Sequence, residues 1–140
     1  MASKANAGRR SGTFSPVVLM ENLPDRMYCE AILDDSSGFR FFLREEGREG
    51  MLQVSFDSEL AYRKTDEGDL LLTFQSVPKI GERSHVYESR DSEFLAWFHR
   101  ESFGIHEKST IRHYLFLTSN DCIEVIALEP PIARWVDSVK

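Results

Sequence analysis

A chain of 140 residues, 41% apolar and 29% charged, has the size and composition of one globular domain. It excludes a wholly disordered chain, and at this length folding buries about two-thirds of the unfolded surface without help from metal or disulfide. The net charge of −6 is uneven: the first twelve residues hold Lys4, Arg9 and Arg10 and no acid, and taking those three from 17 basic residues leaves 14 against 23 acids, or −9, for the rest. A body that acidic repels nucleic-acid phosphates and suits a basic protein partner.

Residues 1–12 are small, polar and basic, which predicts a disordered tail ahead of a single α+β domain over residues 13–140. The apolar run Val17-Val18-Leu19-Met20 lies between Pro16 and Pro24, so Phe14 to Leu23 is an edge strand or one short helical turn. Met27 to Leu33 and Phe39 to Arg44 flank Asp34-Asp35-Ser36-Ser37-Gly38, a hairpin signal. After the turn from Glu45 to Gly50, Leu52, Val54 and Phe56 alternate with Gln53 and Ser55, as in a half-buried strand. Leu60 to Lys64 and Leu70 to Phe74 read as a further hairpin, with Gly68 placed to take a positive φ. Ser76 to Arg83, with Pro78 and Gly81, reads as loop.

One principal helix is expected at about 92–103, capped by Asp91 or Ser92, with Glu93 at its positive end and Gly104 as its stop. Phe94, Leu95, Trp97 and Phe98 supply its apolar stripe, continued by Phe103. Ile111 to Leu117 and Cys122 to Leu128 form the clearest hairpin: pairing Leu117 with Cys122 sets Phe116 against Ile123 and Tyr114 against Val125. Both faces of this pair are apolar enough for a sheet centre. Pro130-Pro131 then ends the sheet and leaves Ile132 to Val139 as a docked tail. The fold class is α+β: a mainly antiparallel sheet of seven or eight strands with that helix packed on it. Trp97, Phe98, Phe103, Tyr114 and Phe116 are expected in the core, and Trp135 either seals the sheet or anchors a contact.

Chemistry-bearing patterns are sparse. His99, His106 and His113 recur every seven residues, but Gly104 interrupts the helix and no tight H-x-x-x-H or C-x-x-C spacing accompanies them, so no metal site is predicted. The acids around Gly68 lack a calcium-loop pattern. No phosphate-binding Gly loop, G-x-S-x-G elbow or H-E-x-x-H element occurs, so no cofactor is predicted. His113 and Glu124 should share a sheet face, one residue out of direct register, with Cys122 next along, which gathers a base, a carboxylate and a thiol. Cys29 and Cys122 read as free thiols of a reducing compartment. No apolar run reaches the ~18 residues of a membrane span and no secretory h-region follows the basic residues, so a cytoplasmic protein is expected.

Three stretches carry a resemblance: Tyr62 to Asp69 (YRKTDEGD), Ser92 to Ile105 (SEFLAWFHRESFGI), and His113-Tyr114 with Asn120 to Val125 (NDCIEV). Over residues 27–130 the chain resembles small, uncharacterised bacterial proteins of the toxin-immunity kind. The resemblance implies a bacterial cytoplasmic protein that works by binding, and it carries over no site residue. The leading expectation is therefore a non-catalytic protein-binding module, of the immunity or inhibitor type, that occludes a basic partner. Its candidate contacts are Asp34, Asp35, Glu45, Glu46, Asp66, Glu67, Asp69 and Trp135. Two alternatives stand beside it: a small enzyme or ligand-binding domain with a pocket at His113, Glu124 and Cys122, and a structural homo-oligomer paired through an open sheet edge.

Overall fold

The computed structural model describes residues 12–76 and 85–140. The order is β1 (Ser15–Pro16), β2 (Tyr28–Asp35), β3 (Gly38–Arg44), β4 (Met51–Phe56), β5 (Glu59–Asp66), a 3-10 turn (Glu67–Asp69), α1 (Leu71–Ser76), β6 (Val86–Ser89), α2 (Glu93–Glu101), β7 (Arg112–Leu117), β8 (Asp121–Ala127) and β9 (Ile132–Val136). The fold is α+β and mainly antiparallel, but the nine strands among the described residues make two sheets where the sequence suggests one. A five-stranded sheet runs β1-β6-β7-β8-β5 and a four-stranded sheet runs β2-β3-β4-β9.

The two sheets meet face to face because both present an apolar stripe of period two. Phe39, Phe41, Leu43, Leu52, Val54 and Phe56 of the smaller sheet share one core with Val86, Tyr114, Phe116, Ile123, Val125 and Ala127 of the larger. Phe41 meets Phe116 edge-on with ring centroids 4.9 Å apart, and Phe56 leans on Tyr114 at 5.7 Å. The opposite face of the larger sheet bears the helices. There Phe14, Tyr87, Leu115 and Cys122 pack with Leu70 and Phe74, while Phe94, Leu95, Ile111 and Ile126 pack with Phe98. The β7–β8 hairpin is therefore buried on both sides. Its register is the expected one, with Leu117 opposite Cys122, Phe116 opposite Ile123 and Tyr114 opposite Val125.

Several local expectations are corrected. Leu70 to Phe74 does not pair with β5: the Asp66 side chain accepts from Gly68 N–H at 2.8 Å, the 3-10 turn redirects the chain into α1, and β5 takes β8 as its neighbour. Gly68 accordingly has no positive φ. The stretch after Pro130-Pro131 is not a docked tail but β9, which pairs with β4 along Leu52–Trp135 and Val54–Ala133. Of Phe14 to Leu23 only Ser15–Pro16 is strand, paired with β6, and the apolar run Val17 to Met20 is not. The loop expected at 76–83 falls almost wholly outside the described residues, and so does the basic tail apart from Gly12.

Helix α2 starts as expected, with the Ser92 hydroxyl accepting from Leu95 N–H at 3.2 Å. Its end differs. Gly104 N–H donates to His99 O at 2.8 Å and Phe103 N–H to Arg100 O at 3.2 Å, the paired bonds of a Schellman close. Phe103 therefore occupies the left-handed position next to the cap, at φ 52°, and Gly104 follows it at φ 70°. Its side chain is 93% exposed, and Trp97 is 43% exposed, so neither belongs to the core. The stripe that packs is Phe94, Leu95 and half-buried Phe98, because the helix lies on a single hairpin and covers it with one narrow face.

Because Phe41 is fully buried between the sheets, Phe41→Ala should lower the unfolding free energy by about 3–5 kcal/mol. Urea denaturation of the two chains measures it, and a loss below about 1 kcal/mol would mean the sheets do not share this core.

Candidate functional site

The helix-bearing face of the β7–β8 hairpin contains a chain of polar groups in an otherwise apolar layer. His113 on β7 and Glu124 on β8 share that face and meet at 2.7 Å, Nε2 to Oε2. They sit two residues out of direct register, not one: His113 lies opposite Ile126 and Glu124 opposite Leu115, which makes them a diagonal pair. Arg63, directly opposite Glu124 on β5, grips the carboxylate with two hydrogen bonds, Nε to Oε1 at 2.8 Å and Nη2 to Oε2 at 2.9 Å. On the other side of the ring, His113 Nδ1 lies 2.7 Å from Ser92 Oγ, the hydroxyl that caps α2. His113 itself is held edge-on by Phe14 and Phe94, at 5.3 and 5.2 Å.

The proton positions follow from what each partner can do. Glu124, paired with Arg63, is a carboxylate and can only accept, so the ring proton belongs on Nε2. Nδ1 then accepts the Ser92 hydroxyl proton, and Ser92 Oγ accepts Leu95 N–H. The Nε2–Glu124 approach is close but out of line with the ring N–H, so it is a dipolar contact with the carboxylate and not a well-aligned hydrogen bond. Burial pushes the His113 pKa down, and the pull of Glu124 in the other direction does not cancel it, so the ring is neutral. For Glu124 burial pushes up, but the close His113 ring N–H and the two Arg63 hydrogen bonds outweigh it and hold the carboxyl below its ordinary range. The Cys122 thiol, packed against Phe14, Tyr87 and Leu115, is pushed up to about 12 by burial. It is a core thiol, and it does not line the cavity beside His113.

Serine, histidine and glutamate side by side have the residue types of an acyl-transfer triad. The geometry assigns them another role. Ser92 and His113 are each only 1% exposed. Both hydrogen-bonding directions of the Ser92 hydroxyl are taken, and the backbone of Gly12 packs on the Ser92 backbone beside it, so close that a Cβ there would come within 2.5 Å of Ser92 Cα. A substrate carbonyl has no approach to that oxygen. The neighbouring cavity, about 190 Å³, has apolar walls from Phe14, Leu70, Leu72 and Phe94, with His113 and Glu124 exposed to it. It is smaller than the ~300 Å³ at which ligand pockets begin. What the chain of groups does is bind β5, β7, β8 and the start of α2 into one unit.

The other candidate residues are dispersed. Asp34 and Asp35 lie at the β2–β3 turn, where Asp35 pairs with Arg40 at 2.8 Å and Asp34 adjoins Tyr62 and Glu59. Glu45 and Glu46 lie in the β3–β4 turn at the other end of β3. Asp66, Glu67 and Asp69 cluster around the 3-10 turn, at the end of β5 remote from Glu59. Trp135 is half-buried on β9 beneath the Arg48 guanidinium, 3.7 Å from its ring centroid. Only Asp69 of these acids reaches the His113 cavity, where it faces Glu93. Sequence reasoning missed Ser92 and Arg63 as partners of His113 and Glu124. The sequence marks Ser92 as a helix cap alone, and Arg63 comes close only because β5 pairs with β8.

Among the described residues no group of three or more His, Cys, Asp or Glu is placed to hold a metal ion, and no helix is long and apolar enough to cross a membrane. Both cysteines are free. No family model, curated protein or solved structure matches this chain.

A buried neutral histidine makes stability depend on pH in a definite direction. The folded pKa of His113 lies below the ordinary 6.5, so between the two values only the unfolded chain takes up the proton. The contribution is complete above 6.5 and is lost as pH falls through the folded value. Urea midpoints should thus decline between about pH 7 and about pH 5 in the natural chain, and decline less in His113→Gln. Equal slopes would contradict a neutral, buried ring.

Proposed function

We propose that this chain is a non-catalytic protein-binding module, of the inhibitor or immunity type, that meets a basic partner with its helix layer. The observation that carries the reading is Phe103. An L-residue in the left-handed region costs about 1–2 kcal/mol, and a Schellman close ordinarily uses glycine there. Phe103 accepts that cost and places its ring 93% in solvent, where it contributes nothing to the core. Backbone strain combined with an exposed aromatic is a pattern of contact anchors.

The surroundings support a partner of mixed character. Trp97 stacks on Phe94 with ring centroids 5.7 Å apart and remains partly exposed, Leu71 and Leu72 are exposed on α1, and Ile105 is exposed in the turn after α2. Acids edge this apolar surface: Asp66, Glu67 and Asp69 precede α1, and Glu93 opens α2. Acids at the starts of both helices together with exposed aromatics suit a basic surface that also carries apolar groups, with the charges accelerating encounter and the rings slowing release. Occlusion of a basic cleft is the mechanism this implies.

Two variants separate anchor from steering in affinity capture from lysate at low and at high salt, read by mass spectrometry. Phe103→Gly should leave the fold as stable or about 1 kcal/mol more stable, and should weaken capture of the partner about tenfold or more. The double reversal Asp66→Lys with Glu67→Lys should slow association and flatten its salt dependence. A captured basic protein that both variants bind as the natural chain does would overturn the reading.

A further inference from the structure

The cavity of about 190 Å³ beside His113 lies between α1 and α2, within the helix layer. It is too small for an ordinary ligand, but it has room for one long side chain. Phe14, Leu70, Leu72 and Phe94 give it apolar walls, and the exposed acids Asp69 and Glu93 stand at its border. Neither acid has an ion-pair partner among the described residues. Glu124, whose side chain is 1% exposed, lines the inner end. Arg63 fills two of the about four lone-pair sites of that carboxylate, and the His113 N–H is out of line with the others. The cavity thus sets three carboxylates against one guanidinium that is already engaged, and the buried carboxylate keeps acceptor sites without donors.

We propose that this cavity receives one lysine side chain of the basic partner, with its methylenes against Phe14, Leu70 and Leu72 and its ammonium on the free acceptor sites of Glu124. Asp69 and Glu93 draw it in. The partner rests on the reading of the helix layer as a contact face; the cavity's selection of a primary ammonium on an apolar stem does not. Lysine fits where arginine does not. A guanidinium seeks a carboxylate fork and an aromatic face. Both are occupied, since Arg63 forks onto Glu124 and lies 4.1 Å from the Phe94 ring centroid, while Trp97 stacks on that ring at 5.7 Å. An ammonium is compact and uses single lone pairs, and the surplus of carboxylates offsets its loss of water.

The probe is n-butylammonium, a lysine side chain without its backbone, titrated into the full chain and followed by NMR. The Leu72, Glu93 and Phe94 amides and the Arg63 Nε–H should shift together and saturate with a Kd of about a millimolar, while the Trp135 indole on the other sheet stays still. Uncharged n-butanol and n-butylguanidinium should each bind about tenfold more weakly or worse. Asp69→Asn with Glu93→Gln changes only exposed groups, so it should leave the urea midpoint in place and weaken n-butylammonium about tenfold. No saturating shift, or equal binding of n-butanol, would overturn the proposal, and equal binding of n-butylguanidinium would overturn the choice of lysine. The same double variant should hold the partner captured from lysate about tenfold more weakly. Equal capture would overturn the lysine contact and leave the protein-binding reading standing. No captured partner, with n-butylammonium saturating as expected, would overturn the partner as the source of the lysine, and with it the protein-binding reading, and leave the cavity a site for a primary amine.

Discussion

The structure depends on how the Glu124 carboxylate is accommodated at the centre of a sheet. An unpaired buried carboxylate costs several kcal/mol, and losing one member of a buried pair costs about 3–5 kcal/mol. Glu124 therefore requires Arg63 beside it, and that requirement fixes β5 against β8 at a single register. A slip of one residue would turn Glu124 toward Phe116 and Ile123 in the core between the sheets. The same carboxylate borders His113, whose other nitrogen takes the Ser92 hydroxyl proton, and Ser92 starts α2. Arg63 also lies 4.1 Å from the Phe94 ring centroid, a second tie between β5 and the helix. Strand pairing, helix start and helix placement all follow from one buried charge.

How much of this the sequence disclosed varied with the range of the interaction. The β7–β8 hairpin was legible down to its register, because a short polar turn and an apolar stripe of period two are local signals. So was the Ser92 cap, and so was the meeting of His113 with Glu124, off by one residue. The division into two sheets was not legible, because it depends on β9 returning to β4 across some 80 residues, and no local pattern encodes that. The hairpin expected at 60–74 failed for a related reason: the acids and glycine after Lys64 signal a turn equally well before a strand or before a helix. Phe103 looked like the end of an apolar stripe, since composition cannot reveal that the Schellman close sets it one residue too late to face the sheet.

The two unusual features of the molecule divide structure from function. The Ser92–His113–Glu124 chain resembles catalytic machinery in composition, yet it lies beneath Gly12 and Phe14 and is used up in internal contacts. The exposed Phe103 ring serves no internal contact that the core needs. Polar groups inside hold the elements in place, and the exposed aromatic of the helix layer is what the proposed binding function would use.

The most direct measurement on this account is reaction of the full chain with a fluorophosphonate, which labels a serine activated by a histidine base, read by intact mass. A strut-like Ser92, closed off by Gly12 and committed to Leu95 and His113, predicts an unmodified chain. An adduct that maps to Ser92 would contradict that, and would make the same three residues the centre of an enzyme.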